Sequence, residues 1–276
     1  MGIKLLHIFR NTPLGRETFL QSVYFCERTG ASLDIYIPEH QKFLMYFEND
    51  AVQVDLDSSY LVAPGTAKKH AEDILNRRNV SAQFIVPENY TASTLPDIPV
   101  DYDFMCCPRS ISDLSSKIGL GYIGSRVRRI VKSAKFPVLI TSPVFKEWKS
   151  VAVLFGGSSN AVKALKLGIR ISRESGLPIE LFTKIEKNFS KSKYEKIVKE
   201  ENLDKELLRH NAKWVFFKKG KLVENLYDVP HNALVVLGAC GHGLIKDIFF
   251  GGKMEKIQST ITNNMLVVGP NYSLMK

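Results

Sequence analysis

The sequence predicts an α/β protein built from two tandem, doubly wound parallel sheets of five strands each. Two observations lead to this class. Continuous apolar runs of strand length alternate with amphipathic segments of helix length along the 276 residues, a pattern typical of parallel strands covered by helices on both faces. The sequence also repeats itself, because residues 5–9 match residues 151–155 and Gly30 matches Gly176 at the same offset of 146 residues.

The two copies of the repeat differ in length. Near their ends, Gly124 matches Gly251 and Pro143 matches Pro270 at an offset of 127 residues, so the first copy is 19 residues longer. Of these extra residues, 16 precede its third strand and 3 lie in its late loop. We therefore predict two domains of the same fold, residues 1–145 with an insert and residues 146–276.

Local signals place the elements of each copy. In the first copy, a strand at 3–9 precedes a helix at 16–29 that Gly30 closes, and a second strand at 32–37 ends at Pro38. The remaining elements of this copy are a helix at 66–78, strands at 82–86 and 104–107, a helix at 126–135 and a strand at 138–141. The second copy repeats the order, with strands at 151–155, 179–183, 214–217, 234–237 and 265–268 and helices at 160–175, 192–209 and 253–262. The predicted strand order in each copy is 3-2-1-4-5, that of a Rossmann-like or flavodoxin-like sheet.

The insert of the first copy covers roughly residues 40–60 and mixes aromatic with acidic residues. We predict a short packed helix there. A lid or a partner surface is the alternative, because long loops in compact domains are usually functional or mobile.

A glycine-rich stretch follows the fourth strand of the second copy. Gly238 and Gly241 come directly after the apolar run 234–237, and Gly251 and Gly252 precede the predicted last helix. Glycines let backbone N–H groups approach an anion closely, and a helix N-terminus adds its positive dipole end. The stretch therefore predicts phosphate binding, although the same glycines would also suit a tight turn with a helix packed closely on the sheet.

In doubly wound sheets, ligands bind beyond the carboxyl ends of the strands, where the strand order reverses. The glycine stretch and the segment after the first strand, 155–158, meet at that edge in the second copy. The candidate ligand-binding residues are Phe155, Gly156, Gly157, Ser158, Thr183, Leu237, Gly238, Gly241, His242, Gly251, Gly252 and Lys253.

These motifs resemble the universal stress protein family, whose loop has Gly, two residues, Gly, nine residues, Gly and then Ser or Thr. Gly252 stands where the family has the hydroxyl residue, and Gly156 stands where the family has an Asp that meets the adenine and ribose side of ATP. Lys253 offers a charged contact to phosphate in place of the hydroxyl. The first copy retains only Gly124 and Ser125 of the loop, so the resemblance implies a degenerate first domain and a second domain that retains the glycine loop.

The resemblance implies a stress-response protein whose second domain binds an adenine nucleotide, ATP or AMP, with or without Mg²⁺, as a sensor or regulator. The alternative is a non-enzymatic interaction scaffold of the same fold that has lost nucleotide binding. We find no nucleophile with a base and no paired carboxylates in the crevice, so we expect at most slow ATP hydrolysis. An unidentified protein client is expected in either case.

Composition bounds the other classes of function. The net charge of +10 suggests polyanion binding as another class of function. Basic runs are usually solvated helix faces, however, and the sequence has no nucleic-acid-binding motif, so we expect no nucleic acid partner. No apolar run is long enough to span a membrane and no signal peptide is visible, which predicts a cytoplasmic protein. The two copies are expected to pair within one chain as a pseudo-dimer. The sequence does not decide whether two chains also form a homodimer.

Overall fold

The computed structural model describes residues 2–56, 63–111, 123–186, 189–217, 220, 222–239 and 262–273. The helices are α1 (Pro13–Thr29), α2 (Pro64–Leu75), α3 (Ser125–Ser133), α4 (Ser159–Ser175), α5 (Lys191–Glu200), α6 (Asp204–Arg209) and α7 (Leu222–Asn225). The strands of the first half are β1 (Lys4–Ile8), β2 (Ser32–Tyr36), β3 (Lys42–Phe47), β4 (Asp50–Asp55), β5 (Ala82–Ile85), β6 (Asn89–Thr91), β7 (Leu95–Ile98), β8 (Phe104–Cys107) and β9 (Val138–Ile140). The strands of the second half are β10 (Ser150–Leu154), β11 (Ile179–Lys184), β12 (Lys213–Phe217), β13 (Ala233–Gly238) and β14 (Met265–Val268).

The main sheet has ten strands in the order β12-β11-β10-β13-β14-β9-β8-β1-β2-β5. Neighbouring strands are parallel within each half, and each half has the internal order 3-2-1-4-5. The halves join where β14 pairs antiparallel with β9, for example Leu266 opposite Leu139. The predicted α/β class with parallel strands is confirmed, and the two predicted sheets form one continuous sheet.

Helices α1 and α4 hold equivalent places in the two halves and have the same end signals. The hydroxyls of Thr12 and Ser158 accept hydrogen bonds from Gly15 N and Ala161 N, at 2.9 and 3.2 Å, and so cap the helix N-termini. Gly30 and Gly176 end the helices in the left-handed conformation, with φ of 70° and 68°. The tandem duplication and its boundary near residue 145 stay predictions.

The two faces of the sheet bury separate apolar cores that both run through the two halves. Helices α1, α2, α4, α5 and α6 contribute to the first face, and α3 contributes to the second face. The connection between the halves is held by Asn264, whose side chain accepts from Ser142 N at 2.9 Å and donates to Lys146 O at 3.3 Å. Trp148 in this connection is buried against α1.

The helix predicted for the insert is wrong. Strands β3 and β4 form a hairpin there, within a second sheet of order β4-β3-β7-β6. Phe43, Met45 and Phe47 on β3, with Val52 and Val54 on β4, are buried with a period of two residues and belong to the core that includes α3. A short apolar run fits a helix and a strand equally well, and the alternation along β3 and β4 is the signal that should have decided.

The hairpin also carries the acidic partners of the basic helix α3. Arg126 and Arg129 of α3 form ion pairs with Asp55 and Asp50 of β4. The hydrogen bond from Arg129 helps to lower the pKa of Asp50 to about 2. Much of the positive charge of α3 therefore faces carboxylates of the same chain, which weakens the case for α3 as a polyanion-binding surface.

The helix predicted at 192–209 consists of two helices. Helix α5 ends before Asn202, which has a positive φ of 56°, and α6 begins at Asp204. Asparagine tolerates this conformation better than most residues.

Candidate functional site

The predicted crevice lies beyond the ends of β10 and β13, which are neighbours in the sheet. Leu154 and Leu237 are opposite one another near the ends of these strands, and β11 lies on the other side of β10. The segment 155–158 and Gly238 therefore leave the sheet at the same edge. Leu237 is fully buried in the apolar core of the second face, so it acts in packing.

Gly238 lies directly against the first turn of α4. A Cβ atom on Gly238 would come within 2.5 Å of the backbone C and O of Asn160 and 2.9 Å of Ala161 N. The Asn160 side chain in turn donates a hydrogen bond to Ala239 O at 2.6 Å. The start of the glycine loop is thus fixed to a helix N-terminus, and packing alone requires glycine at this position.

We expect Gly238→Ala to lower the free energy of unfolding by about 1–3 kcal/mol, because backbone atoms cannot move aside as a flexible side chain can. Urea unfolding monitored by circular dichroism measures this loss. Gly65→Ala in α2 is the matched control, since its Cβ would have nothing within 4 Å, and it should be neutral or stabilising by about 0.5–1 kcal/mol. An unchanged unfolding midpoint for Gly238→Ala would contradict the packing argument.

The hydroxyls of Ser158 and Thr183 are both engaged within the protein. Ser158 caps α4. Thr183 is fully buried, donates to Phe155 O at 2.9 Å and accepts from Trp214 Nε1 at 2.9 Å. The hydroxyls of these two predicted site residues therefore stabilise the backbone around the crevice through hydrogen bonds within the protein.

The side of the crevice next to Gly156 and Gly157 is occupied by side chains. Gly157 has a positive φ of 75°, and a Cβ on it would lie 3.1 Å from Ile197 Cδ1 and 3.2 Å from Tyr194 Cδ1 of α5. Tyr194 belongs to a group of rings that we call the aromatic cluster, namely Phe155, Phe189, Tyr194, Trp214 and Phe216. Phe155 is a predicted site residue, whereas sequence analysis missed the other four rings, which lie on β12, on α5 or just before α5.

Five predicted site residues, Gly241, His242, Gly251, Gly252 and Lys253, lie outside the described residues. The predicted helix at 253–262 lies almost wholly outside them as well. Within the described ranges, no three His, Cys, Asp or Glu side chains are grouped so that they could hold a metal ion.

The equivalent edge of the first half has a different character. Arg10 and Arg109, beyond β1 and β8, are both buried. Arg109 donates to Asn263 O of the second half at 3.2 Å, and burial lowers the pKa of Arg109 to about 10. Asn11 and His70 are hydrogen-bonded at 2.6 Å. This edge is therefore basic, and Arg109 links it to the second half.

The described strands define a doubly wound α/β protein with two halves, and in folds of this class ligands generally bind beyond the carboxyl ends of the strands. More particularly, the fold is that of the universal stress proteins. A universal stress protein from Archaeoglobus fulgidus superposes with a TM-score of 0.59 at 12% identity, over 96% of both chains. A Pseudomonas aeruginosa protein described as a universal stress protein gives 0.58 at 10% identity, over 98% of this chain and 94% of the other.

A further similar structure is the cytoplasmic domain of a prokaryotic cation chloride cotransporter. Its TM-score is 0.50 at 10% identity, over 97% of this chain and 95% of the other. No protein-family model matches the sequence, and no curated protein matches it either. Across the described ranges, we find no helix with the length and apolar character needed to cross a membrane.

Proposed function

We propose that the second half of this chain binds an adenine nucleotide, ATP or AMP, and acts as a stress-response sensor or regulator rather than as an enzyme. One observation carries the proposal. Gly238, the first residue of the glycine stretch, lies against the N-terminus of α4 at the edge where the strand order reverses. A 17-residue helix that begins beside a glycine loop favours a phosphate group at this place.

The glycine spacing adds support from the sequence. The pattern of two residues and then nine residues between glycines matches the universal stress protein loop, whereas Gly156 and Gly252 depart from that family. We assign phosphate contacts to the loop from Gly241 to Lys253, with Mg²⁺ accompanying a triphosphate. The cytoplasmic location and a protein client belong to the same proposal.

A non-enzymatic interaction scaffold is the second candidate. The aromatic cluster favours it, because protein side chains fill the crevice next to Gly157, where the base side of a nucleotide is expected. Similarity to the cytoplasmic domain of a cotransporter is in line with a fold that can work as part of a larger assembly.

A thermal-shift and calorimetric titration tests the nucleotide proposal. Purified protein is titrated with ATP, ADP, AMP and cyclic AMP in the presence of Mg²⁺. A ligand that binds only the folded state stabilises it by about 2.7 kcal/mol at a concentration 100 times its dissociation constant. We expect a rise in melting temperature with at least one adenine nucleotide.

Three loop variants and one surface variant make the test specific. Gly241→Val and Lys253→Ala should abolish or weaken the shift, whereas Gly252→Ser, which adds the hydroxyl of the family motif, should strengthen binding of ATP more than binding of AMP. Lys205→Ala removes an exposed lysine of α6 and should leave the shift unchanged. No shift with any nucleotide at millimolar concentration would reject nucleotide binding and leave the scaffold.

A further inference from the structure

Tyr194 is the side chain that most directly occupies the crevice. It is fully buried, although it extends from α5, where Tyr194 and Val198 are the buried residues. Its ring atoms Cδ1 and Cε1 would lie 3.2 and 3.3 Å from a Cβ on Gly157. The absence of a side chain at Gly157 is therefore what lets this ring approach the end of β10 so closely.

The phenol of Tyr194 bonds to backbone groups at the end of β11. Its oxygen accepts from Glu186 N at 3.3 Å and donates to Lys184 O at 3.4 Å. Burial raises the pKa of Tyr194, so the phenol retains the proton that it donates. Both bonds are longer than usual, since N–H···O bonds measure about 2.7–3.2 Å and O–H···O bonds about 2.5–3.0 Å, and they are therefore weak.

A nucleobase has the same general form as this side chain. It is a flat ring that stacks on aromatic side chains and presents donors and acceptors at its edge. Beside Tyr194 the structure offers aromatic rings, such as Phe155 and Phe189, together with one backbone N–H and one backbone carbonyl. The ring of Tyr194 and a purine base would therefore compete for one place.

We propose that Tyr194 is an internal occupant of the base side of the crevice, which a nucleotide must displace together with α5. This inference rests on the proposed nucleotide binding and adds the residue that controls it. Displacement is limited to one helical element, because α5 has ten residues and only Tyr194 and Val198 among them are buried. Movement of α5 then reports ligand binding at the protein surface.

Equilibrium binding of adenosine, AMP and ATP to wild type, Tyr194→Ala and Tyr194→Leu tests the proposal. The two variants remove the competing ring, so the cost of opening the crevice falls and we expect each ligand to bind about tenfold more tightly or better. Tyr194→Leu retains more packing and serves if the alanine variant does not fold. Tyr194→Phe retains the ring and should bind within about threefold of wild type, because the weak phenol bonds contribute little.

Tyr24→Ala is the matched control, because it removes another buried tyrosine, on α1 in the first half. It should destabilise the protein without any gain in affinity. In wild type, ATP should also accelerate amide hydrogen exchange in α5, as the displaced helix loses its buried contacts.

The outcomes separate this inference from the proposed function. If wild type binds ATP but neither the alanine nor the leucine variant binds more tightly, Tyr194 only packs and the inference fails while nucleotide binding stands. If neither wild type nor any variant binds any of the three ligands, nucleotide binding itself is rejected and the inference with it. Slower rather than faster exchange in α5 of wild type with ATP would also overturn displacement.

Discussion

Replacing Trp148 with alanine is expected to lower the free energy of unfolding by about 3–5 kcal/mol, as for other large buried aromatics. Trp148 is 1% exposed and packs edge-on against Tyr24 at 5.5 Å. Tyr24 also donates a hydrogen bond to Trp148 O at 2.9 Å. The Trp148 ring therefore packs the connection between the halves against α1, and loss of the ring leaves a cavity at that junction.

Denaturant unfolding measures the loss and also the cooperativity between the halves. Because both cores run through the two halves, we expect one transition in wild type and in Trp148→Ala. Trp148→Phe retains a ring and should lose less. Tyr227→Ala, at a residue that is 63% exposed, should change stability by about 0.5 kcal/mol or less. A loss below about 1 kcal/mol for Trp148→Ala would contradict its structural role.

The protein is also expected to lose stability in mild acid because of His7. This side chain is 1% exposed, its Nδ1 is 2.8 Å from Ser22 Oγ, and its Nε2 has no hydrogen-bond partner among the described residues. Burial, together with the charge of Arg10, lowers the pKa of His7 from 6.5 to about 3. His7 is therefore neutral in the folded protein.

The sign of the effect follows from proton uptake. Between pH 6.5 and about 3, the unfolded protein binds a proton at His7 that the folded protein does not, so stability is complete above this range and falls as the pH drops. The expected slope is about 1.4 kcal/mol per pH unit within the range. Urea unfolding at a series of pH values measures it.

His7→Gln removes the titrating group and should flatten this part of the pH profile, whatever its own effect on stability. His231→Gln, at an exposed position, should leave the slope as it is in wild type. Equal slopes in wild type and His7→Gln would show that other groups cause the acid sensitivity. Asp50 adds to the loss only below about pH 3.8, the ordinary value from which its pKa is lowered to about 2 in the folded protein.

The parts of the fold that follow from local signals were predictable from the sequence. Gly30 ends α1 where the sequence predicted, and its counterpart Gly176 ends α4. Helix α1 begins three residues before the predicted start, because the cap at Thr12 was not used as a signal. The pairing of β14 with β9 was not predictable, because it depends on which strand edges meet across the halves. The hairpin of β3 and β4 was misjudged, as its short apolar runs suit either kind of element.

The candidate site shows a similar division. Sequence reasoning placed the segment after β10 and Gly238 at one edge from the strand order, and β10 and β13 are indeed parallel neighbours in the sheet. It did not predict that Tyr194 would fill the adjacent space, since that contact joins α5 to a glycine 37 residues earlier in the sequence. Gly238 also shows that one residue can satisfy a loop motif and a packing constraint together, so its identity alone does not establish a ligand.

The antiparallel contact of β14 with β9 has a consequence for assembly. It uses the fifth strand of both halves, so the third strands, β5 and β12, form the two ends of the described sheet. A contact between two β12 strands, or between two β5 strands, closes after two molecules, whereas β12 against β5 would propagate as a filament. These end strands have only four and five residues, and such short edges limit polymerisation of this kind.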